Sequence, residues 1–434
     1  MPENAIVNVR QRLLNNMASL FVLQGSNYLL PLITIPYLVR VLGLDNFGRI
    51  SFAQAFIQYF VVLADYGFNL SATREVAIRR NDSERLSSLF SAVMVIKTGF
   101  MVLGFILLLL VIALVPIFKR DWPLYIIVYL AAVFGNVVLP VWLFQGLERM
   151  RSMIVLTIFS RLVGVVLIFA YVRSSGEYLL AAGLQSGSLI LAGVLACIII
   201  PRIGRVHLVC PTFTELRSVL SDGWHVFLGT ASVCLFTNSN VFLLGLITNP
   251  SSVGYFSAAE KLVRAVTGLT IPIAQAIYPH IAALASNSRD AAYVFIRRLI
   301  RLQGIFTLVL SLLLFLFAGQ LVALLFGNQF KASIVLVKWM ALLPFVIGLN
   351  NILGTQIMLN FGMQKTFSRI LIVVGVFSIG LIIPMTLWFD AEGAAITVFV
   401  AEFTQTMTMI VILKRLGILS MILNGTSSDG SYAR

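Results

Sequence analysis

The sequence predicts an all-α integral membrane protein of about 12 transmembrane helices in two six-helix lobes. Three observations carry the prediction. Of 434 residues, 59% are hydrophobic and only 11% charged, and mean hydropathy is +0.97, whereas a soluble domain is about 25% charged. Apolar runs near 20 residues recur along the whole chain, and outer-membrane strands would instead alternate and dilute the hydropathy. A weak internal repeat divides the chain in two.

Apolar runs bounded by charge or turn residues place the spans at 17–39, 48–68, 89–117, 123–144, 153–172 and 178–200 in the first half. The second half has 223–247, 253–277, 302–326, 333–360, 370–389 and 393–413. The first run follows MPENAIVNVRQR, is too long for a signal-peptide core, and reads as a retained span. The eighth run carries Glu260, Lys261 and Arg264. With it counted as a span, twenty of the 31 basic residues fall on the side holding both termini, six fall opposite and five lie within spans. Removing it would move Arg289, Arg297, Arg298 and Arg301 to the opposite side and break that bias, so the eighth run crosses and both termini are cytoplasmic.

Shifting the chain by 206 positions aligns GRISFAQA with GYFSAAEK, matching Gly48 to Gly254, Ser51 to Ser257 and Ala53 to Ala259. A later pair sets QGLERMRS, with Gly146 and Ser152, against FGMQKTFS, with Gly362 and Ser368. Six spans per half is an even number, so the halves would be parallel repeats, a plan common among alternating-access transporters. The division is a lobe over 1–200, a cytoplasmic linker over 201–222, a lobe over 223–415 and a cytoplasmic tail over 416–434. The linker holds the amphipathic stretch PTFTELRSVL, expected along the membrane interface, and the tail reads as disordered.

Most enzyme classes lack support. Cys197, Cys210 and Cys234 sit in or beside apolar runs without disulfide or metal spacing, and His207, His225 and His280 stand alone. GMQKT at Gly362 lacks the first glycine of a phosphate loop, and no carboxylate pair or nucleophile elbow is present. No cofactor or metal is expected. The net charge of +14 reads as topology and not as nucleic-acid binding, because the basic residues lie in short loops.

The informative residues are charges inside spans, each of which costs about 2.5–3.5 kcal/mol against lipid unless it faces water or a partner. Arg161 is mid-span, either a ligand for substrate or a partner to a carbonyl or carboxylate. Glu260 and Arg264 are four apart and share a helix face, while Lys261 points elsewhere; a substrate-facing site and a packing ion pair both fit. Lys97 and Lys338 lie nearer span ends, where snorkelling is the other reading. Glu402 is a candidate proton or cation carrier or a packing group, and Asp65 a carrier or a cap. Five intramembrane cations against Glu260 and Glu402 favour an anionic substrate, and diphosphate suits arginine forks. Pro31, Pro36, Pro140, Pro272, Pro344 and Pro384 permit bending within spans, and the pair in the first makes it the candidate moving helix.

The run ADYGFNLSATREVA, together with YLVRVLGLDNFGRISFAQAF and VGYFSAAEKLVRA, resembles the O-antigen flippases of the polysaccharide transporter family. The resemblance implies two six-helix lobes enclosing a central cavity, the fold of the multidrug/oligosaccharidyl-lipid/polysaccharide exporters. It further implies flipping of an undecaprenyl-diphosphate-linked oligosaccharide across the bacterial inner membrane by alternating access, coupled to a cation gradient as an antiporter. Partners would be that lipid-linked oligosaccharide, membrane lipid, a polysaccharide polymerase and a chain-length regulator. The family's cationic lumen could be supplied here by Arg161, Lys261 and Arg264. A cation-coupled multidrug exporter and a non-transporting scaffold of polysaccharide assembly are the other readings. The basic interior departs from exporters of cationic drugs, and a scaffold would tolerate reversal of the intramembrane charges.

Overall fold

A computed structural model describes residues 3–204 and 206–424 of the chain. Every described regular element is helical. Two compact units divide between Phe242 and Leu243.

The first unit opens with α1 (Glu3–Asp65), a 63-residue stretch broken at Gly43 (φ 78°, ψ 175°), which separates the first two expected spans. Glycine reaches that conformation without a Cβ penalty. Pro31 and Pro36 lie inside the first limb without interrupting it, so the break is at the glycine. Helix α2 (Phe68–Arg79) follows a left-handed turn, and α3 (Ser83–Leu114) is capped by Asp82, which accepts the Arg85 amide at 3.1 Å. A short α4 (Pro116–Lys119) precedes α5 (Trp122–Val138) and α6 (Val141–Gly146), which break apart at Pro140. Then come α7 (Met150–Tyr171) and α8 (Tyr178–Gly204). Trp142, Phe144, Phe68, Val76 and Leu86 form the centre of the core, and α3 turns Val102, Leu103, Ile106 and Leu110 outward. A span hydrophobic on its outer face is one whose solvent is lipid.

Residues 206–212 of the linker form no regular element. The amides at His207 and Val209 are taken by the hydroxyls of Ser87 (3.1 Å) and Ser91 (2.9 Å) on α3. The amphipathic stretch then forms the opening turns of α9 (Phe213–Ile247), where Glu215 accepts the Thr212 amide at 2.8 Å. Helix α9 is bent by 49° between 213–235 and 237–247. Phe242, stacked on Phe52 (5.7 Å) and Phe56 (5.5 Å), ends the part of α9 that packs with the first unit.

The second unit holds α10 (Pro250–Gly268) and α11 (Ile271–Asn287), bent by 42° across 276–279, with Pro272 in the first turn of α11. Helix α12 (Arg289–Leu316) corrects the expected ninth span. The arginines assigned to a loop form its first turns, because Ser288 caps it (3.3 Å to the Ala291 amide) and Asp290 sits in the first turn. Residues 318–326 separate as α13 (Ala318–Phe326). Next are α14 (Ser333–Met340), α15 (Leu343–Asn350) and a π-helix (Asn351–Leu359). Helix α16 (Gln364–Arg415) contains the last two expected spans, broken at Asp390 (φ 52°, ψ −131°) and not at Pro384. Ser252 donates to the Asp390 carboxylate at 2.7 Å and holds this strained residue. The chain reverses so tightly there that a Cβ on Gly393 would overlap the Met385 carbonyl oxygen. Gly393→Ala is therefore expected to destabilise the unit by about 4 kcal/mol or more. Gly380→Ala, where nothing lies within 4 Å, should be neutral; unfolding in detergent compares the two. The expected tail begins as α17 (Ile418–Asn424), whose Ile422 is buried; residues 425–434 lie outside those described.

The described residues contain eight helices long and apolar enough to span, or ten if each of two bent pairs is one span. Breaks at Gly43 and Asp390 divide two of these, each far longer than the about 20 residues a span needs, into two. Of the matched repeat positions, Gly48, Ser51, Ala53, Gly254, Ser257 and Ala259 are all buried. The later pair differs: Gly146 is helical and buried, whereas Gly362 is exposed in a turn at φ 81°.

Candidate functional site

The intramembrane charges fall into separate groups. In the first unit α1 ends at Asp65, and the left-handed residues Tyr66 (φ 47°) and Gly67 (φ 73°) reverse the chain into α2. A Cβ on Gly67 would lie 2.7 Å from Val226, and the Tyr66 ring stacks between Phe100 (5.0 Å) and Phe227 (4.9 Å). The turn holds the Asp65 carboxylate inward. Both its oxygens accept from Asn69 at 2.9 Å, and Oδ1 accepts from Lys97 Nζ at 3.3 Å. Lys97 also donates to the Asn136 carbonyl at 3.1 Å and is only 1% exposed. The ammonium does not snorkel; it is closed into an ion pair within the bundle.

Arg161 lies half-buried on α7, one turn before Gly164, which packs on Ser188. Lys338, on α14, is exposed and places its ammonium 5.8 Å from the centre of the Phe315 ring. That contact is a cation–π pair in geometry.

The second unit assembles the richer group. Between Ser251 and Gly268, Arg264 is the one exposed residue of α10, and its side chain is 57% exposed against 14% for Glu260. Arg264 donates from Nε (3.0 Å) and Nη2 (2.7 Å) to the same oxygen of Glu260. The spacing of four had placed the two on one face, and the structure joins them. Arg264 also acts electrostatically on Lys261 and on Glu402 of α16. Glu402 accepts from Asn350 Nδ2 at 2.7 Å, and Thr406 donates to Asn350 Oδ1 at 2.7 Å. Helices α10 and α16 pack together, and each carries buried small residues, Ala258 and Ala259 on the one and Ala394 and Ala395 on the other.

Asn350, Thr406, Asn69 and Asn136 had no place in the sequence reading. The signal was an asparagine pair, Asn350 and Asn351, inside an otherwise apolar run. Asn350 stands where α15 passes into the π-helix, a geometry frequent at functional positions. Among the described residues no cluster of three His, Cys, Asp or Glu could hold a metal ion.

These features define a multi-pass helical membrane protein whose buried spans carry paired charges and an exposed guanidinium. The chain belongs to the polysaccharide biosynthesis protein family, whose profile matches residues 13–285. It is 37% identical, over 92% of its length and 96% of the relative's, to a protein of Escherichia coli strain K12 named "Putative O-antigen transporter". A relative of the same name from Shigella dysenteriae is 28% identical over 92% of this chain and 98% of its own. Among solved structures, an inward-facing multidrug resistance MATE family transporter of the MOP superfamily has TM-score 0.73 at 17% identity, covering 92% of this chain and 96% of its own. The lipid II flippase MurJ in an inward closed conformation has TM-score 0.70 at 14% identity, covering 97% and 94%. The fold is the one those transporters share.

Proposed function

We propose that the protein flips a polyprenyl-diphosphate-linked oligosaccharide from the inner to the outer leaflet of the bacterial inner membrane by alternating access, coupled to a cation gradient. The observation that carries the reading is Arg264, an exposed guanidinium on an otherwise buried span. An exposed intramembrane arginine belongs in a water-filled path or on an anionic ligand. The relatives' name supplies the substrate class. Arg264 binds the diphosphate with Lys261 assisting; Arg161, in the first unit, and the exposed Lys338 are further cations for the path, while Lys97 is held in its pair with Asp65. Glu260 and Glu402 are the carboxylates available to a coupling ion, and Asp65 is taken by Asn69 and Lys97. Both termini are cytoplasmic, as the bias of basic residues requires. A polysaccharide polymerase and a chain-length regulator are the partners such a flippase would feed.

Transport by Arg161→Ala at wild-type expression should fall by about tenfold, the loss of one charge-assisted contact. Proteoliposomes loaded with lipid-linked repeat units measure it, and full activity would remove Arg161 from the path. In the same assay, collapse of both proton and sodium gradients should slow flipping; unchanged flipping would remove the coupling.

A further inference from the structure

The side edge of the Arg264 guanidinium, formed by Nε and Nη2, is occupied. Nε and Nη2 both point to Glu260 Oε1, at 3.0 and 2.7 Å. A diphosphate held bidentately on this side edge uses the same two donors. We propose that the Glu260 carboxylate and the substrate's diphosphate compete for this edge of Arg264, so that a proton on Glu260 and the lipid diphosphate bind cooperatively. The inference rests on the reading of Arg264 as a diphosphate ligand and adds the sign of the coupling.

The argument is one of linkage. Protonation removes the charge with which Glu260 holds the guanidinium and frees the edge for phosphate. By reciprocity, phosphate on Arg264 strips Glu260 of its counter-ion, places a second anion beside it and raises its affinity for a proton. Proton and lipid are then taken up together, which removes Glu260 from the carboxylates able to exchange a proton for the lipid. In the empty carrier, Glu260 takes the place of the substrate's anion, and the carrier reorients with the charges of the pair matched.

Other groups bear on the same edge. From α10 itself comes Lys261, and from α16 comes Glu402, which adds a weaker claim of the same sign. The Glu402 carboxylate has its own donor in Asn350. Asp390, also on α16, is taken by Ser252. On α14, Lys338 is directed over Phe315, and α15 carries no titratable side chain. On α11 lie His280, edge-on to Phe295 at 4.8 Å, and Tyr278.

The test is binding of a water-soluble short-chain prenyl diphospho-N-acetylglucosamine to the purified full-length protein in lipid nanodiscs. This diester keeps both phosphate charges throughout the titration range of a carboxyl group, so pH acts on the protein alone. Glu260→Gln should bind the probe about 5- to 150-fold more tightly than wild type near pH 7, the range of ordinary coupling between sites. Wild type should tighten as pH falls and take up a proton on binding, while Glu260→Gln does neither. His280→Ala should keep the wild-type response. Equal or weaker binding by Glu260→Gln, with a pH-independent wild type, overturns the inference: Glu260 then only positions the guanidinium. The wild-type measurement decides alone if the variant fails to fold. Arg264→Gln should lose binding at every pH. If it binds as wild type does, the diphosphate reading itself falls, and the inference with it.

Discussion

Arg264→Ala is expected to abolish restoration of surface polysaccharide in a strain lacking its own flippase, at least tenfold below wild type at equal expression. A bidentate charge-assisted contact contributes about 1.5–3 kcal/mol, which is about 10- to 150-fold in binding. Arg264→Lys should recover only part, because an ammonium presents a point charge without the planar fork. Truncation also leaves Glu260, 14% exposed, without its partner. The stability control is therefore Glu260→Gln combined with Arg264→Ala, which should unfold near the wild-type temperature and still fail to transport. A full ladder of surface polysaccharide from Arg264→Ala would sink the proposed site.

Lys97→Met is expected to lower stability by about 3–5 kcal/mol, because it leaves the Asp65 carboxylate buried with an uncompensated charge. Asp65→Asn should be as harmful alone, since Lys97 would keep only the Asn136 carbonyl. The double variant should recover most of the loss, as two neutral side chains of similar volume replace the pair. Chemical unfolding of the detergent-solubilised protein reads the cycle. Additive losses would show that the pair does not act as a unit.

The two predictions separate two kinds of intramembrane charge that composition treats alike. Lys97 and Arg264 both interrupt apolar runs, and both joined the same cationic set in the sequence reading. Burial assigns Lys97 to a closed pair beneath the Asp65 turn and leaves the Arg264 guanidinium exposed. The Glu260 and Arg264 pairing was legible because a spacing of four is a local property of any helix. The pairing of Asp65 with Lys97, 32 residues apart, was not, since it needs α1 and α3 packed side by side. The same holds for Asn350 and Glu402, 52 residues apart across α15 and α16. The chain reversals were half legible. Prolines suggested bends, yet the first and last span pairs break at Gly43 and Asp390, where backbone conformation and not a missing amide sets the turn.

Sequence by itself determined that lipid is the solvent of this chain, that apolar helices recur along it and that its basic residues are biased to one side, because hydropathy and charge act residue by residue on insertion. Tertiary structure alone decided which intramembrane ion pair is buried and which keeps its cation exposed. That outcome depends on distances between helices remote in sequence, and a charge in a low-dielectric interior is governed by the few ångströms around it.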